Sequence, residues 1–506
     1  MNKKVILLIL DGWGEAPSDR FNAIKNANTP TMDRLKEQYP WMLLKADGES
    51  VGLMQGQMGT SEVNHLAIGT GRIIWQDLPK LNKMVRDKSF HSNEAIVNVI
   101  NHVKNNNSRL HITGIISDGG VHSHIEHLFA LLEACKQQGL TQKVYIHVFT
   151  DGRDTPPKSA IKYLDQLNAK IAELGIGSIA SLQGRVYLDR DRDWAKTEKA
   201  FQLIYDLKGQ KAENWQQALA ESYQKTDNDQ YHEQYYFDDE AKLRENDGLV
   251  MLNFRTDRIY QILKRVIDAN IPNLNITSFI NPSADFNINT VITRDKVNNT
   301  LAQVLYNNGK TQLHCSETEK FAHVTYFFNA EREHEFEGEK WLLHESNKFV
   351  KPDYNLEPTM RAFNLTDEIT NNIENNTYDF QIINFPNADM VGHTGSYEAA
   401  LIAAEAVDHC LEKIVSRIEQ NFDQYALIVT ADHGNSDEMW DYKNNQPHTQ
   451  HTLNPVPFIL VSNIKCKLEA TKDALLSNIA PTILELMGLE KPAEMEGDSL
   501  IKTANI

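Results

Sequence analysis

The feature that most constrains this chain is a set of unbroken apolar, β-branched runs that close on an aspartate. VILLIL meets Asp11, HITGIIS meets Asp118, VYIHVFT meets Asp151, FQIINF leads into Asp389 and YALIVTA meets Asp432. A strand with one wet face alternates apolar and polar residues, whereas a continuous apolar run is covered on both faces, as in a parallel sheet flanked by helices. Helical patterns occupy the intervals: in SYEAALIAAEAVDHCLEKIVSRIEQ, the residues Ala403, Val407, Cys410, Leu411, Ile414 and Ile418 make one apolar stripe. The expected fold class is α/β with a mostly parallel sheet. In such sheets ligands gather beyond the carboxyl ends of the strands, which is where these acids fall.

What accompanies the acids gives them chemistry. Asp389 and His393 are four residues apart and share one face of a helical turn. Asp432 is followed directly by His433, and PHTQHTLNPVPFILVS places His448 and His451 just before another buried strand. Carboxylates and imidazoles at successive strand ends are the donor mixture that holds manganese or zinc. Asp11, Asp389, His393, Asp432, His433 and His451 are six donors, more than one ion with an open position uses, so two metals are implied. Two ions about 4 Å apart activate an oxygen nucleophile and steady the charge of an in-line phosphoryl displacement. Ser61, in QMGTSEVNHLAIGTG, is read either as part of an ordinary helix start or as that nucleophile, and the metal set favours the nucleophile. Lys320 in SETEKFAHVTYFF offers further positive charge. His65, His91, His102 and His127 read as packing or surface residues, and His448 as a spare close to His451.

These ligands lie before residue 77 and after residue 388, so one domain is expected from both ends of the chain, 1–76 with 298–506, and a second, 77–297, inserted into it. The insertion concentrates Arg153, Arg185, Arg190, Arg192, Arg255 and Arg258, with His122 and Asp154 among them, in TDGRDTPP, QGRVYLDRDRDW and NFRTDR. Guanidinium forks bind phosphate and carboxylate bidentately, so a small substrate carrying both groups is expected there. Asp154, kept ionised by its neighbours, is placed to take a proton from a substrate hydroxyl.

The formal charge of -18 argues against nucleic acid or anionic lipid as a partner, and nothing approaches the roughly 20 apolar residues of a membrane span. Four scattered cysteines suggest neither a disulfide framework nor a thiolate zinc site, and a cytoplasmic location is expected. The apolar run at the start ends at Asp11 without a cleavage signature and reads as a strand.

The ordered set LDGWG, GQMGTSEVNHLAIGTGR, SDGGVHSH, TDGRDTPP, NFRTDR, SETEKFAHVTYFFN, NADMVGHTG, TADHGN and HTLNPVPF resembles, along essentially the whole chain, the cofactor-independent phosphoglycerate mutases of the alkaline phosphatase superfamily. The resemblance implies an alkaline-phosphatase-like domain with an inserted α/β domain, closing over substrate, in a monomer. It implies interconversion of 2- and 3-phosphoglycerate through a phosphoserine at Ser61, without 2,3-bisphosphoglycerate, in glycolysis and gluconeogenesis. It also implies two manganese ions, one on Asp389, His393 and His451, the other on Asp11, Ser61, Asp432 and His433. His122, Arg153, Asp154, Arg185, Arg190, Arg255, Arg258 and Lys320 become substrate or catalytic residues, with Asp154 the base. Departures from the family pattern occur at Thr60, Asn64, Ala67 and Thr70, and the shortened GRVYLDRD leaves Arg190 and Arg192 as alternatives. The enzymatic alternative is a phosphopentomutase or a phosphohydrolase of the same superfamily; the non-enzymatic one is a metabolite sensor.

Overall fold

The computed structural model describes residues 2–17, 19–293 and 296–503, and its contacts divide the chain into two compact units, Met1–Gln76 with Lys296–Ile506, and Asp77–Asp295. The first unit is built on a seven-stranded sheet in the spatial order Glu339–His344, Gln312–Glu317, Phe380–Phe385, Lys4–Leu10, Tyr425–Thr430, Val456–Val461, Trp41–Leu44. The first five strands run parallel, Val456–Val461 runs against them, and Trp41–Leu44 pairs antiparallel with Val456–Val461. Each of the Phe380–Phe385, Tyr425–Thr430 and Val456–Val461 strands is buried along its whole length, as the unbroken apolar runs require.

Register decides where the acids land. Leu10 pairs with Phe385 and Ile9 with Thr430, so three neighbouring parallel strands finish side by side, and Asp11, the Asn387–Gly392 helix and Asp432 emerge from adjoining tips. The long helix Tyr397–Gln420 lays Val407, Cys410, Leu411, Ile414 and Ile418 into the same core as the central strands.

The second unit carries an eight-stranded sheet ordered Asn289–Thr290, Asn275–Ser278, Gly248–Met251, Leu110–Ile115, Val144–Thr150, Ser178–Gly184, Tyr235–Tyr236, Gln210–Lys211, parallel except where Ser178–Gly184 meets Tyr235–Tyr236. Alternate strand residues enter separate cores: Val148 and Val250 belong to one, Phe149, Leu249 and Met251 to the other. The two cores therefore cover opposite faces of one sheet. Both faces are dry, and a polar row nevertheless crosses the middle of it. Asp247, beside Arg109 Nε at 3.1 Å, accepts from His111 Nε2 at 3.3 Å; His111 Nδ1 meets His147 Nε2 at 2.9 Å, and His147 Nδ1 meets Ser181 Oγ at 2.8 Å. With both imidazoles neutral, only one proton assignment satisfies the row: the serine hydroxyl donates to His147, His147 to His111 and His111 to the carboxylate.

Burial keeps these rings uncharged. It lowers the pKa of His111 and His147, and holds buried His127 at about 3 and His232 at about 4. In the unfolded chain the same groups titrate near 6.5, so the unfolded state binds more protons as pH falls below that value. Stability is expected to be intact above about pH 7 and to decline steadily from about 6.5 downward, a window above that of the carboxylates. Urea unfolding monitored at intervals between pH 7.5 and 5 checks this, and a midpoint that stays level down to pH 5 would contradict it.

Candidate metal centre

Ser61 opens the helix Ser61–Thr70, whose cap is the extended Thr60, its hydroxyl accepting from Val63 N–H. A side chain at the first helical position sits beside free backbone N–H groups and the positive end of the helix dipole, which suits a developing oxyanion or a phosphate. Ser61 is 4% exposed, and its Oγ lies 2.6 Å from Lys320 Nζ and 2.9 Å from His433 Nε2. The same ammonium lies 2.8 Å from Asp11 Oδ1 and 2.7 Å from Asp389 Oδ2. Lys320 follows the Gln312–Glu317 strand and stands just ahead of a five-residue π-helical turn, His323–Phe327, a local irregularity common near functional sites.

Asp11, Asp389 and Asp432 are each no more than 1% exposed, and one ammonium faces all three. Burial, reinforced in Asp11 by the charge of Asp432, pushes the pKa of Asp11 and Asp432 up. Asp389 is held well below the usual carboxylate range: burial opposes this, but Lys320 and the two flanking imidazoles prevail. Buried carboxylates in such surplus need positive charge that the side chains do not provide.

The imidazoles point to how it is supplied. His393 Nδ1 donates to the Thr449 carbonyl and His451 Nδ1 to the Gly59 carbonyl, both at 2.7 Å. That leaves the two Nε2 atoms 3.2 Å apart and each 3.2 Å from Asp389 Oδ1. Two nitrogen lone pairs and a carboxylate oxygen converge on a point where only a cation or a proton relieves them, and backbone carbonyls orienting the outer nitrogens are the usual support of metal-bound histidine. Asp432 Oδ2 is likewise buried without a hydrogen-bond partner. Among the described residues, donor atoms close enough to share an ion occur in two groups, Asp389, His433 and His451, and Asp11, His65 and Asp432; in the second, both His65 nitrogens are already hydrogen-bonded, to the Ser61 carbonyl and to Asn384. The donor set fits a divalent cation. His433 stays neutral, its pKa lowered to about 3 by burial and then by His451, with its ring stacked 3.6 Å from that of His451. His448 instead engages the Glu438 carbonyl.

The second unit gathers the anion-binding side chains at its own strand ends. Arg185, 2% exposed, donates to Asp151 and, at 2.6 Å, to Asp154. Arg190 and Arg255 reach Asp257 at 3.2 and 3.3 Å, and His122 lies 3.5 Å from Asp257 and 3.8 Å from Asp154. Arg258 is buried, donating to the Leu188 carbonyl, and its pKa falls to about 10 through burial and then repulsion from Arg185, Arg190 and Arg153. Arg153 is exposed beside them. Five guanidinium groups face three carboxylates, and Arg185 Nε and Arg258 Nε are buried unpartnered, so the cluster has both charge and donors left for an anion. Arg190 joins it through Asp257, while the Arg192 backbone, at φ 65°, donates its N–H to Gln261 Oε1.

Sequence reasoning missed four residues at these sites. Asp257 lies between two arginines in NFRTDR, and Asn435 follows the Asp432–His433 pair and donates to Asp389 Oδ1 at 2.9 Å. His65, expected to pack or to lie at the surface, is fully buried and also sets Nδ1 3.5 Å from Asp432 Oδ2. Its position four residues after Ser61, on the same helix face, was the available signal. Asn384, a polar residue in the FQIINF run, was the other.

An α/β fold whose parallel strands end in buried carboxylates and converging imidazoles defines a metal-dependent enzyme, and the family model described as the metalloenzyme superfamily matches residues 3–491. The chain is 42% identical over 515 residues to the 2,3-bisphosphoglycerate-independent phosphoglycerate mutase of Francisella philomiragia, and 41% identical over 514 residues to that of Clostridioides difficile, with 99% of each chain covered in both cases. The fold matches a Leishmania mexicana phosphoglycerate mutase crystallised at low cobalt concentration, with a TM-score of 0.55, 28% identity, and coverage of 100% of this chain and 98% of that one. The chain belongs to the 2,3-bisphosphoglycerate-independent phosphoglycerate mutase family.

Without metal, burial lowers the His451 pKa but the hydrogen bond and charge of Asp389 outweigh it, raising it to about 8. At pH 7 that ring carries a proton that a divalent ion must displace. Manganese titration of chelator-stripped protein in two buffers of different ionisation heat is expected to show proton release at pH 7 that shrinks by pH 9. Binding with no proton release at pH 7 would remove His451 from the ligand set.

Proposed function

We propose that the protein interconverts 2-phosphoglycerate and 3-phosphoglycerate, an intramolecular phosphotransfer of glycolysis and gluconeogenesis, through a phosphoserine at Ser61 and without 2,3-bisphosphoglycerate. The observation that carries this reading is the Ser61 hydroxyl at a helix start, 2.6 Å from Lys320, beside three buried carboxylates that call for divalent cations. Family membership supports the substrate. Asp389, His393 and His451 would hold one manganese ion and Asp11, Ser61, Asp432 and His433 a second; when bound, the ions lower the pKa of the serine hydroxyl and offset the charge of the transferring phosphoryl group.

The unit made from both chain ends would carry the nucleophile and metals, and the inserted unit the substrate. In it Arg153, Arg185, Arg190, Arg255 and Arg258, with His122, hold the carboxylate and phosphate of the substrate. The Ser61 oxygen attacks phosphorus, and the bond from phosphorus to the first glycerate oxygen breaks. Lys320 stays protonated, because the charges of Asp11 and Asp389 outweigh the opposing effect of its burial, and it stabilises the oxyanion that Ser61 presents before it attacks and regains when the phosphoryl group leaves it. The second glycerate hydroxyl then attacks the phosphoserine and frees Ser61. One hydroxyl loses a proton and the other oxygen gains one, so the protons balance, and Asp154, oriented by Arg185, moves the proton between them. We place the enzyme in the cytoplasm as a monomer acting on a small molecule; no described helix is long and apolar enough to cross a membrane.

A coupled assay from 3-phosphoglycerate without bisphosphoglycerate, on stripped protein before and after manganese, tests the reading. Activity is expected only with metal, and release of free phosphate in place of 2-phosphoglycerate would make the enzyme a hydrolase. Ser61→Ala is expected to cut turnover by at least 10³-fold and to abolish labelled phosphoenzyme while metal content stays near normal. Label retained on that variant would overturn the nucleophile.

A further inference from the structure

Beside the metal centre, a chain of three hydrogen bonds links the nucleophile's own peptide to Asp11. Asn384 and His65 are both fully buried. Asn384 Nδ2 lies 2.7 Å from Asp11 Oδ2 and 3.1 Å from His65 Nε2, and His65 Nδ1 lies 2.8 Å from the Ser61 carbonyl. With Asp11 ionised, as a ligand to a cation must be, donor and acceptor chemistry permits one assignment. A carboxylate and a carbonyl only accept, so the amide must present its nitrogen to Asp11, and His65 must carry its proton on Nδ1 for Ser61. Nε2 is then bare and accepts the second amide hydrogen. Turning the amide over would set its oxygen against both Asp11 and the bare nitrogen, so all three orientations lock together.

The lock has a direction. Asn384 takes one oxygen of Asp11 and leaves the other, Oδ1, to Lys320 and the centre. His65 takes the carbonyl of the first helical residue, which fixes the peptide plane from which Ser61 Cβ and Oγ project. We propose that His65 and Asn384 are positioning residues, which tie the backbone of the nucleophile to Asp11 so that Ser61 Oγ and Asp11 Oδ1 keep one mutual geometry. Neither touches substrate or the reacting atoms. The kinetic part rests on the reading of Ser61 as nucleophile; the part concerning Asp11 does not.

The test separates the two halves of the lock. In His65→Asn the amide nitrogen stands near the former Nδ1, so the donor to Ser61 survives and the acceptor for Asn384 is lost. His65→Gln places its amide near the former Nε2, with the reverse effect. Each, and Asn384→Ala, is assayed for kcat and KM with phosphoglycerate and, separately, for manganese affinity by calorimetry on stripped protein. Substitutions behind metal ligands typically cost 10- to 100-fold in affinity or activity. The expected result is kcat reduced by about that much with KM within twofold, and affinity at one class of manganese sites weakened about tenfold in Asn384→Ala and His65→Asn. The double variant His65→Asn/Asn384→Ala is expected to be no worse than the poorer single, because both break the same link.

The proposal is overturned if kcat and manganese affinity of all three variants stay within twofold of the parent. It is equally overturned if the two losses multiply in the double variant, or if melting temperature falls while kcat and metal affinity hold. Should the parent show no mutase activity, the function proposed above fails, and manganese calorimetry on the same variants still decides the link to Asp11.

Discussion

Everything about the first unit turns on three carboxylates forced out of water beside a single ammonium. Asp11, Asp389 and Asp432 come from strands that the sheet register sets side by side, so their proximity is a product of backbone pairing between segments 375 and 421 residues apart, Leu10 with Phe385 and Ile9 with Thr430. A buried carboxylate is tolerated only when paired or when it gives up its charge. Lys320 pairs with two of them, burial and repulsion lift the pKa of Asp11 and Asp432, and backbone carbonyls turn the outer nitrogens of His393 and His451 so that the inner ones face Asp389. Each feature is unfavourable alone. Together they describe a cluster of buried donors suited to positive charge, which is the physical content of calling the chain a metalloenzyme.

The two units solve opposite electrostatic problems. One has buried negative charge in excess and calls for cations; the other has buried arginines whose mutual repulsion lowers the pKa of Arg258 to about 10, after burial, and calls for an anion. With a formal charge of -18 the protein as a whole repels anions, so capture of a phosphorylated acid depends on the local field of the arginine cluster. His122 sits in that field as a neutral ring, its pKa about 4 through burial and then Arg185, and adds hydrogen bonding without further repulsion.

Much of this was legible in the sequence because a buried parallel strand leaves an unmistakable mark. The runs ending at Asp11, Asp151 and Asp432 carry no alternation, and a strand tip can send its next residue only into the space above the sheet. Asp389 with His393, and Asp432 with His433, were legible because local spacing fixes their relative direction. His65 and Asn384 were not. Their partners lie 319 residues apart in sequence, and a histidine on a helix rich in buried side chains looks the same whether it packs or grips. The arginines were recognisable as a class, but the part each plays was not: that Arg190 reaches Asp257 depends on a pairing across 67 residues of sequence.

The row from Ser181 to Asp247 shows why buried histidine alone is no evidence of catalysis. His111 and His147 are as buried as His65, have their pKa lowered by burial as His65 does, and sit in an equally complete hydrogen-bond chain. Their chain begins at a fully buried serine and ends at a carboxylate already engaged by Arg109, so it opens to nothing that reacts and stiffens the sheet. The chain through His65 ends instead on the peptide of Ser61 and on Asp11, the two groups whose placement a phosphoryl transfer depends on. What separates a structural histidine from a positioning one is the identity of the last atom its hydrogen bonds reach.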